Sequence, residues 1–235
     1  MKLEANIITT DDSHEFHLMR LADSFFPSGT FGTSGGLEAL AKSGRVNDSD
    51  GVADFIRQQI ELRLAPCDCR ILLAVMDAAR ADDLPSAVAA DNLCNAMKLA
   101  REVRTASTRS GRQLLNSVLH SASNPFARKF SRSIDAGKSP GTYSACLAVA
   151  AFSFKIPNNS AVRMMLYSYS AGICGSAIRL GLISHIDSQD ILTGLAEYVE
   201  NVQAKPGLDD LWQLGPLVEI LQMQHERDEL RMFIT

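Results

Sequence analysis

Apolar residues recur three and four positions apart in segment after segment of this chain, and no run alternates apolar with polar residues as a half-buried strand would. That period commits the backbone to helices, whose apolar stripes must then cover one another. The chain is therefore read as all-α: one single-domain helical bundle of roughly eight to ten helices over residues 1–235, with 204–235 as a flexible, charged C-terminal tail. Its 46% hydrophobic content over 235 residues is enough for one core.

Individual boundaries follow from caps and breakers. Asn47-Asp48-Ser49-Asp50 offers N-cap side chains before Val52, Phe55, Ile56 and Ile60, which predicts a helix near 50–65 interrupted by Pro66. Ile71, Leu72, Val75, Met76 and Ala79 form the next stripe. Pro85-Ser86 opens a long helical stretch whose inward face is Leu93, Met97, Ala100, Ser107, Gly111, Leu114, Leu115 and Val118, the small members of which admit close approach. Arg101, Glu102, Arg104, Arg109 and Arg112 read as a solvated face. Asn124-Pro125 and Ser139-Pro140-Gly141 bracket a short helix and introduce an apolar core helix over 145–154. After Pro157 comes an expected central helix. Its Gly172 and Gly175 each cost about 1 kcal/mol relative to Ala, which implies close packing there. Asp187-Ser188-Gln189-Asp190 supplies the cap for the next helix, and Lys205-Pro206-Gly207 a break.

Charge and composition exclude several function classes. A net charge of −4 and a pI near 5.7 provide no basic field for a phosphate backbone, so no nucleic-acid partner is expected. The N-terminus lacks a basic region followed by an apolar one, and the most apolar run, 146–154, is about half of the roughly 20 residues a membrane span needs. A cytoplasmic protein without membrane contact is expected. Five cysteines without framework spacing suit a reducing compartment. Cys67 and Cys69, the only close pair, read as one core thiol and one partly exposed thiol, with no second pair at metal-site spacing. His14 and His17 share a helical face but read as exposed polar residues.

The Gly- and Ser-rich stretch 21–38 invites two catalytic readings, and neither fits. Gly29, Gly32, Gly35 and Gly36 are followed by no Lys and preceded by no strand, so they do not form a phosphate loop. Ser34 lacks the strand-to-helix elbow and oriented His of a nucleophile. A turn into a helix remains, with Ser34 as cap and Leu37, Leu40 and Ala41 packing inward. The competing enzyme class is a helical metal-binding or hydrolytic protein using scattered Ser, His and Cys.

Several separated segments together resemble the UreF family of urease accessory proteins. Leu21, Ala22, Pro27, Gly29, Phe31, Ser34, Gly36, Leu37 and Glu38 fall on that family's L-x-L-A … L-P-V-G-x-F-x-x-S-x-G-L-E pattern, with Phe26, Ser28 and Thr33 as departures. Residues 101–112 are similar to its E-x-R-x-A-S-x-x-x-G-R helix. Ala177, Arg179, Leu180 and Gln189 resemble its A-x-R-L-x-P-x-G-Q segment, although Leu182, Ser184 and His185 replace the Pro, Gly and Gln. Pro216-Leu217, His225-Glu226 and Arg231-Met232-Phe233 resemble its P-L…H-E-x-x-x-x-R-L-F ending.

The resemblance implies a homodimeric, non-catalytic scaffold that joins UreD (UreH) and the GTPase UreG on the way to apo-urease and modulates GTP hydrolysis by UreG. Nickel and GTP would be handled by the partner complex, with no cofactor stably bound by this chain. It further implies that Glu38, Arg179, Gln189 and Ser34 face UreG, and that His225, Glu226, Arg231 and Phe233 face UreD.

Overall fold

A computed structural model describes residues 13–24, 26–29, 32–205, 207–228 and 231–234. The described residues form helices and no strand. These are α1 (Ser13–Ala22), α2 (Leu37–Lys42), α3 (Ser49–Gln59), α4 (Cys69–Arg80), α5 (Leu84–Met97), α6 (Arg101–Ser121), α7 (Pro125–Asp135), α8 (Tyr143–Ser153), α9 (Asn158–Arg179), α10 (His185–Asn201) and α11 (Pro216–His225). Because α3 and α4 belong to one rod, the described residues hold ten helices, within the expected number. None is long and apolar enough to cross a membrane.

That rod corrects the expected break at Pro66. Between α3 and α4 the helix widens into a π-helical segment, Ile60–Asp68, and continues. A proline inside an α-helix lacks the N–H for the carbonyl four residues back and crowds it. A π segment relieves that crowding. The carbonyl concerned, that of Leu62, instead accepts the Leu214 N–H at 2.8 Å. One turn past Pro66, Arg70 donates to the carbonyls of Gly207 (3.1 Å), Asp210 (2.9 Å) and Asp209, so residues 207–214 are tied along the rod and deliver α11 to its place.

Capping follows the residue chemistry, with one shift in position. Asp48 accepts from Gly51 N, Asp83 from Ser86 N and Asn124 from Ala127 N. The cap of α10 lies upstream of the expected 187–190: Ser184 and Asp187 form a reciprocal capping box, since a hydroxyl three residues before an acid satisfies two end donors at once. The stretch from Pro85 to Val118 is two helices, divided at Lys98–Ala100, where Arg104 caps the C-terminus of α5 through the Lys98 and Leu99 carbonyls (2.6 and 2.7 Å).

The centre of the bundle is α8, buried continuously from Ser144 through Ala151 and packed by α4, α5, α6 and α7. Its entry is organised by Asp91, which is fully buried and accepts from Ser139 Oγ (2.5 Å), Gly141 N (2.7 Å), Thr142 N (2.9 Å) and Thr142 Oγ1 (2.6 Å). The same loop presses against α6 at Gly111, where a Cβ would meet the Gly141 carbonyl and lie 2.6 Å from Thr142 C. Close approach at Gly111 is thus real. At Gly172 and Gly175 it is not: an added Cβ would meet no described atom within 4 Å, so their expected packing role has no counterpart among the described residues.

These two glycine environments should behave oppositely on mutation. Gly111→Ala forces backbone apart and should destabilise the fold by about 1–3 kcal/mol, whereas Gly172→Ala should be neutral or stabilise it by up to about 1 kcal/mol. Urea denaturation of both variants checks the contrast.

Candidate functional site: a buried carboxylate and the C-terminal segment

The glycine-rich stretch is shaped by packing. Gly35 and Gly36 adopt φ of +62° and +100°, a left-handed turn that L side chains disfavour. A Cβ on Gly36 would lie 2.8 Å from Val218 of α11, and one on Gly35 3.1 Å from Ile173 and the Tyr169 hydroxyl of α9. The pair lets the start of α2 wedge between α9 and α11. Ser34 is fully buried and its Oγ accepts the Glu38 N–H at 3.4 Å, but the N-cap position itself falls on Gly36 and not on Ser34 as expected. Leu37 and Leu40 are buried beneath it.

The turn directs Glu38 inward, where it is 2% exposed. Its Oε1 accepts Met232 N (2.9 Å) and pairs with Lys42 Nζ (3.1 Å); its Oε2 accepts Phe233 N (3.0 Å) and lies 3.1 Å from His225 Nε2. Burial by itself disfavours the carboxylate, but the Met232 and Phe233 amides, Lys42 and His225 outweigh it, and the Glu38 pKa falls below the ordinary range.

A second carboxylate completes the arrangement. Glu102, in the first turn of α6, pairs with Arg231 through Oε1, and its Oε2 lies 3.7 Å from His225 Nδ1. His225 is 2% exposed and stands between the two acids. Glu226 pairs with Arg101. Phe233, also 2% exposed, lies under the Arg179 guanidinium, whose Cζ is 4.4 Å from the ring centre. Arg179 is further held by Gly175 O and Ser176 Oγ (both 3.1 Å), and its burial lowers its pKa. Ile234 N donates to Gly32 O at 2.9 Å. The described part of the tail therefore comprises α11 and a terminal segment held at Gly32, Glu38, Glu102 and Arg179.

Six of the sequence-nominated residues meet here: Glu38, Arg179, His225, Glu226, Arg231 and Phe233. Ser34 sits one turn away in the interior, and Gln189 is exposed on α10 with its carbonyl accepting from Thr193 Oγ1. Phe31 lies outside the described residues. Sequence reasoning missed Lys42 and Glu102. Lys42 is readable as the i+4 partner of Glu38. Glu102 belongs to the supposed solvated face, yet its side chain is only 13% exposed and turned to the tail.

The groups required by a catalytic alternative are dispersed. Cys67 and Cys69 are both fully buried, against the expectation of one partly exposed thiol, and burial pushes both thiols above their ordinary range. Cys94, buried in the same region, is pushed up to about 11 by the same cause. His17 is stacked on Phe154 at 4.1 Å and not freely exposed; burial, then the Arg20 charge, lowers its pKa. No group of three or more His, Cys, Asp or Glu able to hold a metal ion occurs among the described residues.

Fold and site together define an all-helical protein whose most elaborate polar constellation grips its own C-terminal segment. The UreF family profile matches residues 46–196, more than half of the chain. The chain is 28% identical to the urease accessory protein UreF of Trichodesmium erythraeum, over 97% of this chain and 99% of that protein. It is 29% identical to UreF 2 of Brucella suis (93% and 91%) and 29% identical to UreF of Yersinia enterocolitica (92% and 96%). The chain belongs to the UreF family of urease accessory proteins.

Two outcomes test the site. Glu38→Gln removes a charged acceptor from two amides, a loss of about 1.5–3 kcal/mol, so amide exchange at Met232 and Phe233 should accelerate roughly ten- to hundredfold. Because the Glu38 pKa is depressed in the folded state, its stabilisation is complete above the ordinary carboxylate value and is lost as pH falls through the lower folded one. The same two amides in the wild type should lose protection over that acidic window, and in Glu38→Gln this acid-driven step should be absent.

Proposed function

We propose that this chain acts as the UreF scaffold of a urease maturation assembly in the cytoplasm. As a non-catalytic homodimer it joins UreD and the GTPase UreG to apo-urease and modulates GTP hydrolysis by UreG. Nickel is the cargo, and GTP the nucleotide, of the partner complex. The observation that carries this reading is the union of the two groups of residues assigned to different partners. Glu38 and Arg179, on the UreG side, hold Phe233, with Glu38 also gripping His225, on the UreD side.

The union gives a mechanism for communication. A partner shifts an equilibrium only through unequal affinity for two states. UreD binding that engages the C-terminal segment changes what Glu38 and Arg179 hold, and UreG reads the result at Arg179 and at exposed Gln189. Glu38 and Ser34, being buried, act as positioning residues: Ser34 accepts the Glu38 amide in the first turn of α2, and Glu38 fixes the segment. Coupling is reciprocal, so UreG in its favoured nucleotide state strengthens UreD capture by the same factor.

Purified chain mixed with UreD and UreG, with and without GTP and Ni²⁺, tests the assignment by complex mass and urease activation. Arg179→Glu should weaken UreG capture at least tenfold while retaining UreD. A chain ending at Gln224 should lose UreD. Unchanged capture by folded variants removes these residues from the respective surfaces.

A further inference from the structure

Between the π-helical segment, α6 and α9 lies a half-enclosed cavity of about 190 Å³ that the family assignment does not use. It is comparable in size to cavities that admit a benzene-sized molecule. Much of its wall is apolar, formed by Leu64, Val103, Met165 and Ile173. Three polar groups also line it with atoms that are buried and have no hydrogen-bond partner among the described residues: Arg63 Nε, Ser168 Oγ and the Tyr169 hydroxyl.

The charges around the cavity do not cancel. Lys98 and Asp68 neutralise each other at 2.8 Å, and Ser144 Oγ adds a hydrogen bond to the same Asp68 oxygen at 2.5 Å. Arg63 has no such counter-ion: Nη1 donates to the neutral Gln59 Oε1 at 2.7 Å, and it forms no salt bridge among the described residues. One positive charge therefore remains. Arg63 Nε can only donate, and the two hydroxyls can donate beside it. A buried polar atom without a partner is destabilising, and the partly buried Arg63 turns such an atom, Nε, toward the cavity. The common complement of three donors and one residual positive charge is a singly charged oxyanion. A dianion would leave one negative charge unmatched, and a neutral molecule would leave Arg63 unmatched.

We propose that this cavity binds a small monocarboxylate, its carboxylate held by Arg63, Ser168 and Tyr169 and its short apolar body lying against Leu64, Val103, Met165 and Ile173. The site is independent of the partner surfaces above, since it uses none of their assigned residues.

The probe is sodium butyrate, titrated into the full-length chain in carboxylate-free buffer and followed by calorimetry and amide chemical shifts, with butyramide as the uncharged analogue. Butyrate should bind saturably at one site, with a Kd of about 1 mM or lower, and butyramide at least tenfold more weakly. Tyr169→Phe, which removes one hydroxyl without altering shape, should weaken butyrate severalfold, and Arg63→Gln at least tenfold. Equal binding of butyrate and butyramide overturns the proposal, as does absence of saturable butyrate binding, which would mean that the cavity holds water only. Unchanged affinity in Tyr169→Phe, or in a folded Arg63→Gln, overturns the assigned ligands. The butyrate–butyramide comparison uses the unaltered protein and stands even if the Arg63 variant fails to fold.

Discussion

The carboxylate of Glu38 ties the second helix of the fold to its described end. An ionised acid taken out of water is tolerated only when its lone pairs are met, and here the partners arrive from Lys42 in its own helix, His225 on α11 and the Met232 and Phe233 amides. Its neighbours depend on it in turn. The Gly35–Gly36 turn has a left-handed path because α2 must present Glu38 between α9 and α11, and Phe233 meets Arg179 because its amide is already fixed. The cluster has the form of a clasp, formed by groups whose binding requirements are otherwise unmet.

The fold stands on two further buried acids, each accommodated differently. Asp91 is met by a loop, with two amides and two hydroxyls folding around it to launch α8. Asp68 is met by a cation, Lys98, at 2.8 Å, and the Lys98 charge does most to hold its pKa down against burial. Breaking a pair of this kind leaves an uncompensated charge and costs about 3–5 kcal/mol. Only Glu38 is met largely by main-chain amides of an extended segment outside any helix, the kind of contact that opens without unfolding a core element. Of the three, it is the one suited to controlled release.

Much of this was legible in the residues. The all-α class, the number of helices and the cap within Asn47–Asp50, which falls on Asp48, follow from local chemistry, because a period of 3.6 and a side-chain oxygen at a helix start act within a few residues of themselves. The errors arose where a distant partner decided the outcome. Pro66 reads as a stop, yet the helix widens and the Leu62 carbonyl finds Leu214. Gly172 reads as a close approach, yet a Cβ there meets nothing within 4 Å among the described residues, whereas Gly111 is one, because the loop held by Asp91 lies against it. The site shows the same division: the resemblance selected both ends of the clasp, but no local pattern says that residues 38 and 233 touch. Glu102 was hidden among arginines for the same reason, its partners lying more than a hundred positions away.

The tether that delivers α11 is hydrogen-bonded largely through its main chain, by the Leu214 amide on one side and the carbonyls of residues 207, 209 and 210 on the other, with the Gln213 side chain donating to Met97 O. Every amino acid presents the same carbonyl, so the grip of Arg70 reads the path of the backbone and not the side chains of Asp209 and Asp210. The constraint falls on Arg70, whose planar fork no other side chain reproduces. Loss of that one side chain would free the path of 207–214 along its length, although Leu208 and Leu211 would still rest on the core.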